Sequence, residues 1–301
     1  MSNQLQRIAV AAVGIPAAMF AVWYGGLILV TLVTAIAVLG TRELFQLAER
    51  GGIRPLQRLG LVVAGLVPAL TWAVAAPVTD SPDPVSALVA LILSPLWRWF
   101  PWPLSLMLVL LLVLTVVLLR RPPGQRPIGA AAVTVLGVAY AGLLPATFVL
   151  IRLDAGPERS WPATWLVFFP LAVTWICDSF AMWGGKAFGK TRLWPEVSPG
   201  KTRAGGVAGI LGGVGAALAY GPIALAPSGR AFPAVQAALM GLVISVVAQI
   251  GDLVESLFKR EAGVKDSSGL IPGHGGILDR FDSLYFVLPV TLVMYRIFGI
   301  V

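Results

Sequence analysis

Charge is scarce in this chain. Asp, Glu, Lys and Arg make up 12% of its 301 residues, against roughly 25% in an average soluble domain. Hydrophobic residues make up 57%. Such a chain cannot cover itself with a water-facing surface, so a soluble globular fold is excluded and a bilayer is the expected solvent. Cysteine is nearly absent: Cys177 stands alone, which excludes an intrachain disulfide. His274 is the single histidine. Acids are outnumbered by bases, 14 to 22, for a formal net charge of +8. In a soluble protein that excess would suggest nucleic acid. In a membrane chain it orients the spans and attracts anionic lipid or phosphate, so no nucleic-acid partner is expected.

A spanning helix needs about 20 mostly apolar residues. The runs long enough lie near 8–24, 27–48, 59–76, 103–119, 128–151, 163–182, 204–222, 234–256 and 281–300. The expected fold is therefore all-α, a polytopic integral membrane protein of about nine spans. The first run follows one arginine and resembles a signal peptide, but Gly25 and Gly26 lead straight into a second apolar run, so a retained span is expected. The stretch 85–94 is too short to cross. It leads into a run with Pro95, Trp97, Arg98, Trp99, Phe100 and Trp102, expected to lie at the interface and anchor there through its indoles. With a cytosolic N-terminus, every Lys and Arg except Arg98, Arg152, Arg159, Arg230 and Arg296 falls on the inside, as the positive-inside rule requires. The C-terminus is then outside, and two long polar stretches, 183–203 and 257–280, face the cytosol.

Asp178, Asp252 and Glu255 lie within apolar runs, where an ionised acid is costly and marks function by default. The alternative is a pair of structural acids neutralised by Lys or Arg. The span limits put Asp178 and Asp252 about one turn from the cytosolic ends of their helices. Helical spacing places Asp252, Glu255, Ser256 and Lys259 on one face. Carboxylates with no Cys or His nearby suit a hard ion such as Mg2+ rather than Zn2+. Beyond them, 265–282 opens with Lys265 and Asp266. It passes through Pro272, Gly273, His274, Gly275 and Gly276, an irregular backbone whose N–H groups can approach an anion. It ends at Asp279, Arg280 and Asp282, which open the last span. Asp279 at that helix start and Asp252 on the preceding helix are positioned to clamp one or two ions. His274 either fixes the turn or touches phosphate.

The other loop carries Lys186, Lys190 and Arg192, then Ser198, Pro199, Gly200, Lys201 and Thr202. Gly185 and Gly189 continue the Asp178 face and admit a neighbouring helix or a substrate. The Ser-Pro-Gly-Lys-Thr run lacks the glycine spacing and preceding strand of a P-loop. As a tight turn with hydroxyls and a lysine it still suits triphosphate, whereas the surrounding cations also fit plain positive-inside decoration.

These residues resemble the phosphatidate cytidylyltransferase family. Its signature runs in register through Ser256, Lys259, Arg260, Lys265, Asp266, Pro272, Gly273, His274, Gly275, Gly276, Asp279, Arg280 and Asp282. The likeness is residue by residue over about 178–289 and hydropathic before that, apart from Gly14-Ile15-Pro16 and Gly40…Glu43-Leu44. This chain departs from the family at Met182, where a Tyr is common, and at Ala204, where Glu or Gln is common.

The resemblance implies the reaction CTP + phosphatidate → CDP-diacylglycerol + pyrophosphate at the cytosolic leaflet of the cell membrane. Asp252 and Asp279 are then the metal-binding acids, for Mg2+ and room for a second cation, with Ser256 and Lys259 completing the catalytic set. Asp178, Lys190, Ser198, Lys201, Thr202, Arg260, Lys265, Asp266, His274 and Arg280 are the expected substrate contacts. The partners are CTP, phosphatidate and membrane lipid, and a homodimer is allowed. The chain forms one membrane domain, in which 1–160 anchors and 161–301 carries the catalytic spans and loops. Two other readings remain: a cytidylyltransferase or kinase for another lipid, and an ion-coupled transporter, since midmembrane acids also line ion paths.

Overall fold

A computed structural model describes residues 3–75, 102–230, 232–271 and 273–301, with side chains from residue 12 onward save 102–104 and 228. Each of the nine apolar runs is helical among the described residues. They are α1 (Asn3–Tyr24), α2 (Gly26–Arg50), α3 (Gln57–Ala75), α4 (Trp102–Arg120) and α5 (Pro127–Asp154), then α6 (Trp161–Phe188), α7 (Arg203–Leu225), α8 (Ala234–Glu261) and α9 (Leu278–Ile297). Six of these, α2, α3 and α5 to α8, are long and apolar enough to cross a membrane. α1 and α4 are apolar over the residues whose side chains are described, Ala12–Tyr24 and Ser105–Arg120, and α9 carries charge at both ends. The stretch 85–94 and the Trp-rich run to Phe100 lie outside the described residues.

The helices collect their turns at two ends. At one end, Arg152 is buried and spends its guanidinium on carbonyls: Nε donates to Val22 O at 2.6 Å, and the terminal nitrogens donate to Trp23, Gly156 and Pro157. Arg230 donates to Ala155 O, and Arg296 pairs with Asp154. At the other end, Arg121 donates to Pro55 O, and the loop after α8 reaches the last turns of α2. Among the described residues, loops expected outside thus sit together, as do loops expected inside. The α1–α2 reversal takes place at Gly25 and Gly26, whose φ angles of 74° and 47° are left-handed and suit glycine.

Two helices run past the apolar stretches that announced them. α6 continues to Phe188 and α8 to Glu261. Asp178 and Asp252 therefore lie ten and nine residues before their helix ends (188 − 178 and 261 − 252), not one turn. The cause is that α-helix needs only backbone hydrogen bonds and one packed face, which the polar last turns still have. The two acids nevertheless stay within electrostatic reach of each other. A second correction concerns 198–202, expected as a tight turn. Ser198–Thr202 is strand β2, paired antiparallel with β1 (Arg192–Trp194), and the turn falls at 195–197. A two-stranded ribbon has an unpaired side at every strand, so Pro199 costs it no ladder hydrogen bond.

Glycine sets the α6–α7 packing. A Cβ on Gly184 would strike Ala208, and one on Gly209 would lie 3.0 Å from Ala181 Cβ and Cys177 O. Small residues on facing helices let backbones approach where lipid supplies no hydrophobic drive. Under the polar end, Ile36, Leu44, Leu47, Tyr140, Ala141, Leu278 and Tyr285 form an apolar floor. Within α5, Val138–Leu143 is a π-turn that precedes Pro145, and it carries Tyr140 into this floor. Such single π-turns recur near functional sites.

Candidate functional site

The last turns of α8 present their predicted face inward. Lys259 is the hub of a buried knot. Its ammonium lies 2.5 Å from Glu255 Oε2 and 2.7 Å from Asp279 Oδ1, with side-chain exposures of 11%, 0% and 4% for the three residues. Charges this deep persist only when paired and hydrogen-bonded. Asp279 meets that condition fully. Its Oδ2 accepts from Ser267 N, Ser267 Oγ and Gly276 N, each at 2.8 Å. Gly275 has φ +84°, and a Cβ there would lie 2.7 Å from Asp279 Oδ2. The glycine pair thus lets the loop close over this carboxylate.

One helical turn back along α8 the site opens. Asp252 Oδ2 lies 2.6 Å from Lys201 Nζ, at exposures of 32% and 25%, and Ser256 Oγ donates to Asp252 Oδ1 over a long 3.4 Å. Lys201 arrives from β2, so the hairpin between α6 and α7 delivers the cation. Asp178 from α6 and Asp282 from α9 stand within electrostatic reach of Asp252 and of each other. Two ammonium groups therefore divide the site: Lys259 in a closed half and Lys201 in an open half. The hydroxyls of Tyr140 and Tyr285 are buried beneath it without a hydrogen-bond partner among the described residues. Their rings meet edge to face at 5.2 Å.

Of the residues expected from sequence, Asp178, Lys201, Asp252, Ser256, Lys259 and Asp279 converge here. Others have different occupations. Thr202 is buried and caps α7, its hydroxyl accepting from Gly205 N at 3.1 Å. Arg260 points out of the knot and donates to Val197 O and Val264 O, tying the hairpin turn to the end of α8. Ser198 is half-buried in β2. Lys190, Lys265, Asp266 and Arg280 are exposed. The backbone of His274 donates to Ile271 O at 2.9 Å, inside the small turn closed by the Ile271–Gly275 bridge. Gly185 and Gly189 admit α7 and its cap: a Cβ on Gly185 would lie 3.1 Å from Thr202 Oγ1, and one on Gly189 would lie 2.7 Å from it.

Sequence reasoning did not single out Glu43, Ser267 and Ser268 as site residues. Glu43 comes from α2, inside the half expected to anchor only. It is 3% exposed and accepts four hydrogen bonds from the 267–278 loop and the start of α9. The signal was available: Glu43 is an acid inside an apolar run, the same criterion that marked Asp178, Asp252 and Glu255.

Mg2+ can be tested against these groups. The donor chemistry fits, since the cluster holds carboxylates with no thiol or imidazole among them. Asp252 fits by exposure. Asp279 fits only by exchange, because Lys259 holds Oδ1 and three donors hold Oδ2. Among the described residues no three His, Cys, Asp or Glu side chains close around a common point.

Comparison with known proteins adds the family. A family model described as "Cytidylyltransferase family" matches residues 5–298. A phosphatidate cytidylyltransferase from Synechocystis is 33% identical over 95% of this chain and 94% of its own length. The Arabidopsis protein named phosphatidate cytidylyltransferase 5, chloroplastic, is 32% identical over 92% of this chain and 68% of its own. The Bacillus subtilis phosphatidate cytidylyltransferase is 44% identical over 44% of this chain and 48% of its own. With a family match spanning nearly every residue and a relative 33% identical over 94% of its own length, the chain belongs to the cytidylyltransferase family and groups there with the phosphatidate cytidylyltransferases.

Proposed function

We infer that this membrane enzyme transfers the CMP moiety of CTP to phosphatidate, yielding CDP-diacylglycerol and pyrophosphate. The observation that carries the reading is the convergence of Lys201, Asp252 and Ser256 with the Lys259–Asp279 knot at one end of a helix bundle. A phosphate oxygen of phosphatidate attacks the α-phosphorus of CTP, and the bond from that phosphorus to the bridging oxygen of pyrophosphate breaks. Both reactants are anions, so the chemistry asks chiefly for positioning and charge neutralisation. The nucleophile is already ionised and needs no strong general base.

Lys201 is assigned to the triphosphate, because its side chain and that of its partner Asp252 are partly exposed, although its ammonium nitrogen is covered. Ser256 lies one turn from Lys259 on the same face and can donate to a phosphate oxygen in place of Asp252. Lys259 sits deeper and orients Asp279. Asp252, and Asp279 after exchange of a present partner, would hold Mg2+, which would supply charge screening for the two anions and the departing pyrophosphate. The proposed topology has nine crossings with the N-terminus in the cytosol, which puts the site at the leaflet where CTP and phosphatidate meet.

The test is pyrophosphate release from CTP by detergent-purified protein given phosphatidate, a polyprenol or no lipid. Release confined to phosphatidate is expected. Release with the polyprenol alone would move the chain to another lipid acceptor, and no release with either would refute the reading.

A further inference from the structure

We propose that Glu43 of α2 is a positioning residue for the transfer reaction, holding the 267–278 loop and the first turn of α9 so that Asp279 and Lys259 keep their geometry. The proposal rests on the cytidyl-transfer reading and extends it to a residue outside the C-terminal half.

Glu43 presents both oxygens to one target. Oε1 accepts from Ser268 Oγ at 2.6 Å and Ile277 N at 3.0 Å, and Oε2 accepts from Ser267 Oγ at 2.9 Å and Leu278 N at 2.8 Å. Ile277 and Leu278 are the N-cap and first residue of α9, and Ile277 has no side chain that can cap. A helix start leaves its first N–H groups without intrahelical partners and favours negative charge. Glu43 supplies both needs from another helix. It therefore caps α9 in trans, one residue before Asp279.

Two further contacts connect this cap to the chemistry. Ser267 Oγ lies 2.9 Å from Glu43 Oε2 and 2.8 Å from Asp279 Oδ2, so one hydroxyl hydrogen serves two carboxylates. Moving Glu43 shifts that hydrogen toward Asp279 and alters what Lys259 must balance. In addition, a Cβ on Gly276 would strike Ser267 Oγ and Glu43 Oε2. The second glycine of the Gly-Gly pair is thus the space that Glu43 occupies. A buried carboxylate that accepted the same four bonds for stability alone would need no link to Asp279. This one shares a donor with it.

The experiment uses the full chain with Glu43→Gln, which keeps the shape of the side chain. An amide has one acceptor oxygen and cannot accept from all four donors. Reporter thiols are placed at Gly269 in the loop and at Gly124 in a distant turn, both sites where a Cβ meets nothing within 4 Å. Cys177 is buried and does not interfere. Expected results are a kcat at least about tenfold lower at saturating CTP and phosphatidate, a faster maleimide reaction at position 269, and no change at position 124. Glu43→Ala should do the same more strongly. Unchanged kcat would overturn the proposal, as would equal acceleration at both thiols, which reports general loosening. The parent protein failing to release pyrophosphate at all would instead refute the underlying reading.

Discussion

At the scale of single residues, the two lysines of the site differ in cost. Lys201 and Asp252 are partly exposed, and such pairs stabilise by at most about 1 kcal/mol. Lys201→Ala should therefore leave the melting temperature nearly unchanged while raising the apparent KM for CTP more than that for phosphatidate; steady-state kinetics with each substrate varied in turn checks this. Lys259 is buried between Glu255 and Asp279. Removing it strands two buried acids, a loss of about 3–5 kcal/mol in comparable cases. Lys259→Ala should lower the melting temperature in detergent sharply as well as abolish turnover. Ser256 gives a finer test. Its 3.4 Å hydrogen bond to Asp252 is too long to matter much for folding. Ser256→Ala should melt normally yet lose roughly tenfold to a hundredfold in kcat if the hydroxyl turns to a phosphate in the transition state. Combined with Asp252→Ala it should add little, because the two act on one group. Additive losses would separate them.

The face of α8 was readable because helical spacing alone brings Asp252, Glu255, Ser256 and Lys259 together. What spacing could not give was the partner of each charge. Lys201 and Asp252 are 51 positions apart (252 − 201), and their pairing depends on how the hairpin folds back. Glu43 met the same criterion of an acid in an apolar run, but nothing local says that it caps a helix start 235 positions away.

At the scale of elements, glycine marks the places where helices touch. Gly184 of α6 has no room for a side chain against Ala208. Gly184→Leu should overpack the α6–α7 contact and destabilise by about 1–3 kcal/mol or more. Gly215 of α7 has nothing within 4 Å of its Cβ, so Gly215→Leu should be neutral or slightly stabilising. Melting curves of the two variants in the same detergent compare them directly. Among the described residues hydropathy found the nine long helices but not where α6 and α8 end. An apolar scan measures what a segment can leave in lipid, whereas helix limits follow backbone hydrogen bonding, which continues into polar turns. The β1–β2 hairpin was missed for a related reason: its short strands carry Pro, Gly and Lys, residues whose propensities favour a turn.

At the scale of the whole molecule, the grouping of turns at two ends makes the sidedness testable. With Cys177 buried, a thiol introduced at the exposed Pro157 should react with an impermeant maleimide in intact cells. One at the exposed Glu196 should react only after the membrane is opened. The opposite pattern would put the site on the wrong face for a cytosolic nucleotide.

The bond from Leu278 N to Glu43 joins residues 235 positions apart. Synthesis runs from the N-terminus, so α2 enters the membrane long before α9 exists. Its buried acid must wait, without its four donors, until α9 arrives. Completion of the site therefore waits for α9. A chain truncated before α9 would hold an uncapped carboxylate within its apolar spans, a defect that quality-control proteases can recognise. Halves 1–160 and 161–301 made separately should regain activity only when both are present in one membrane.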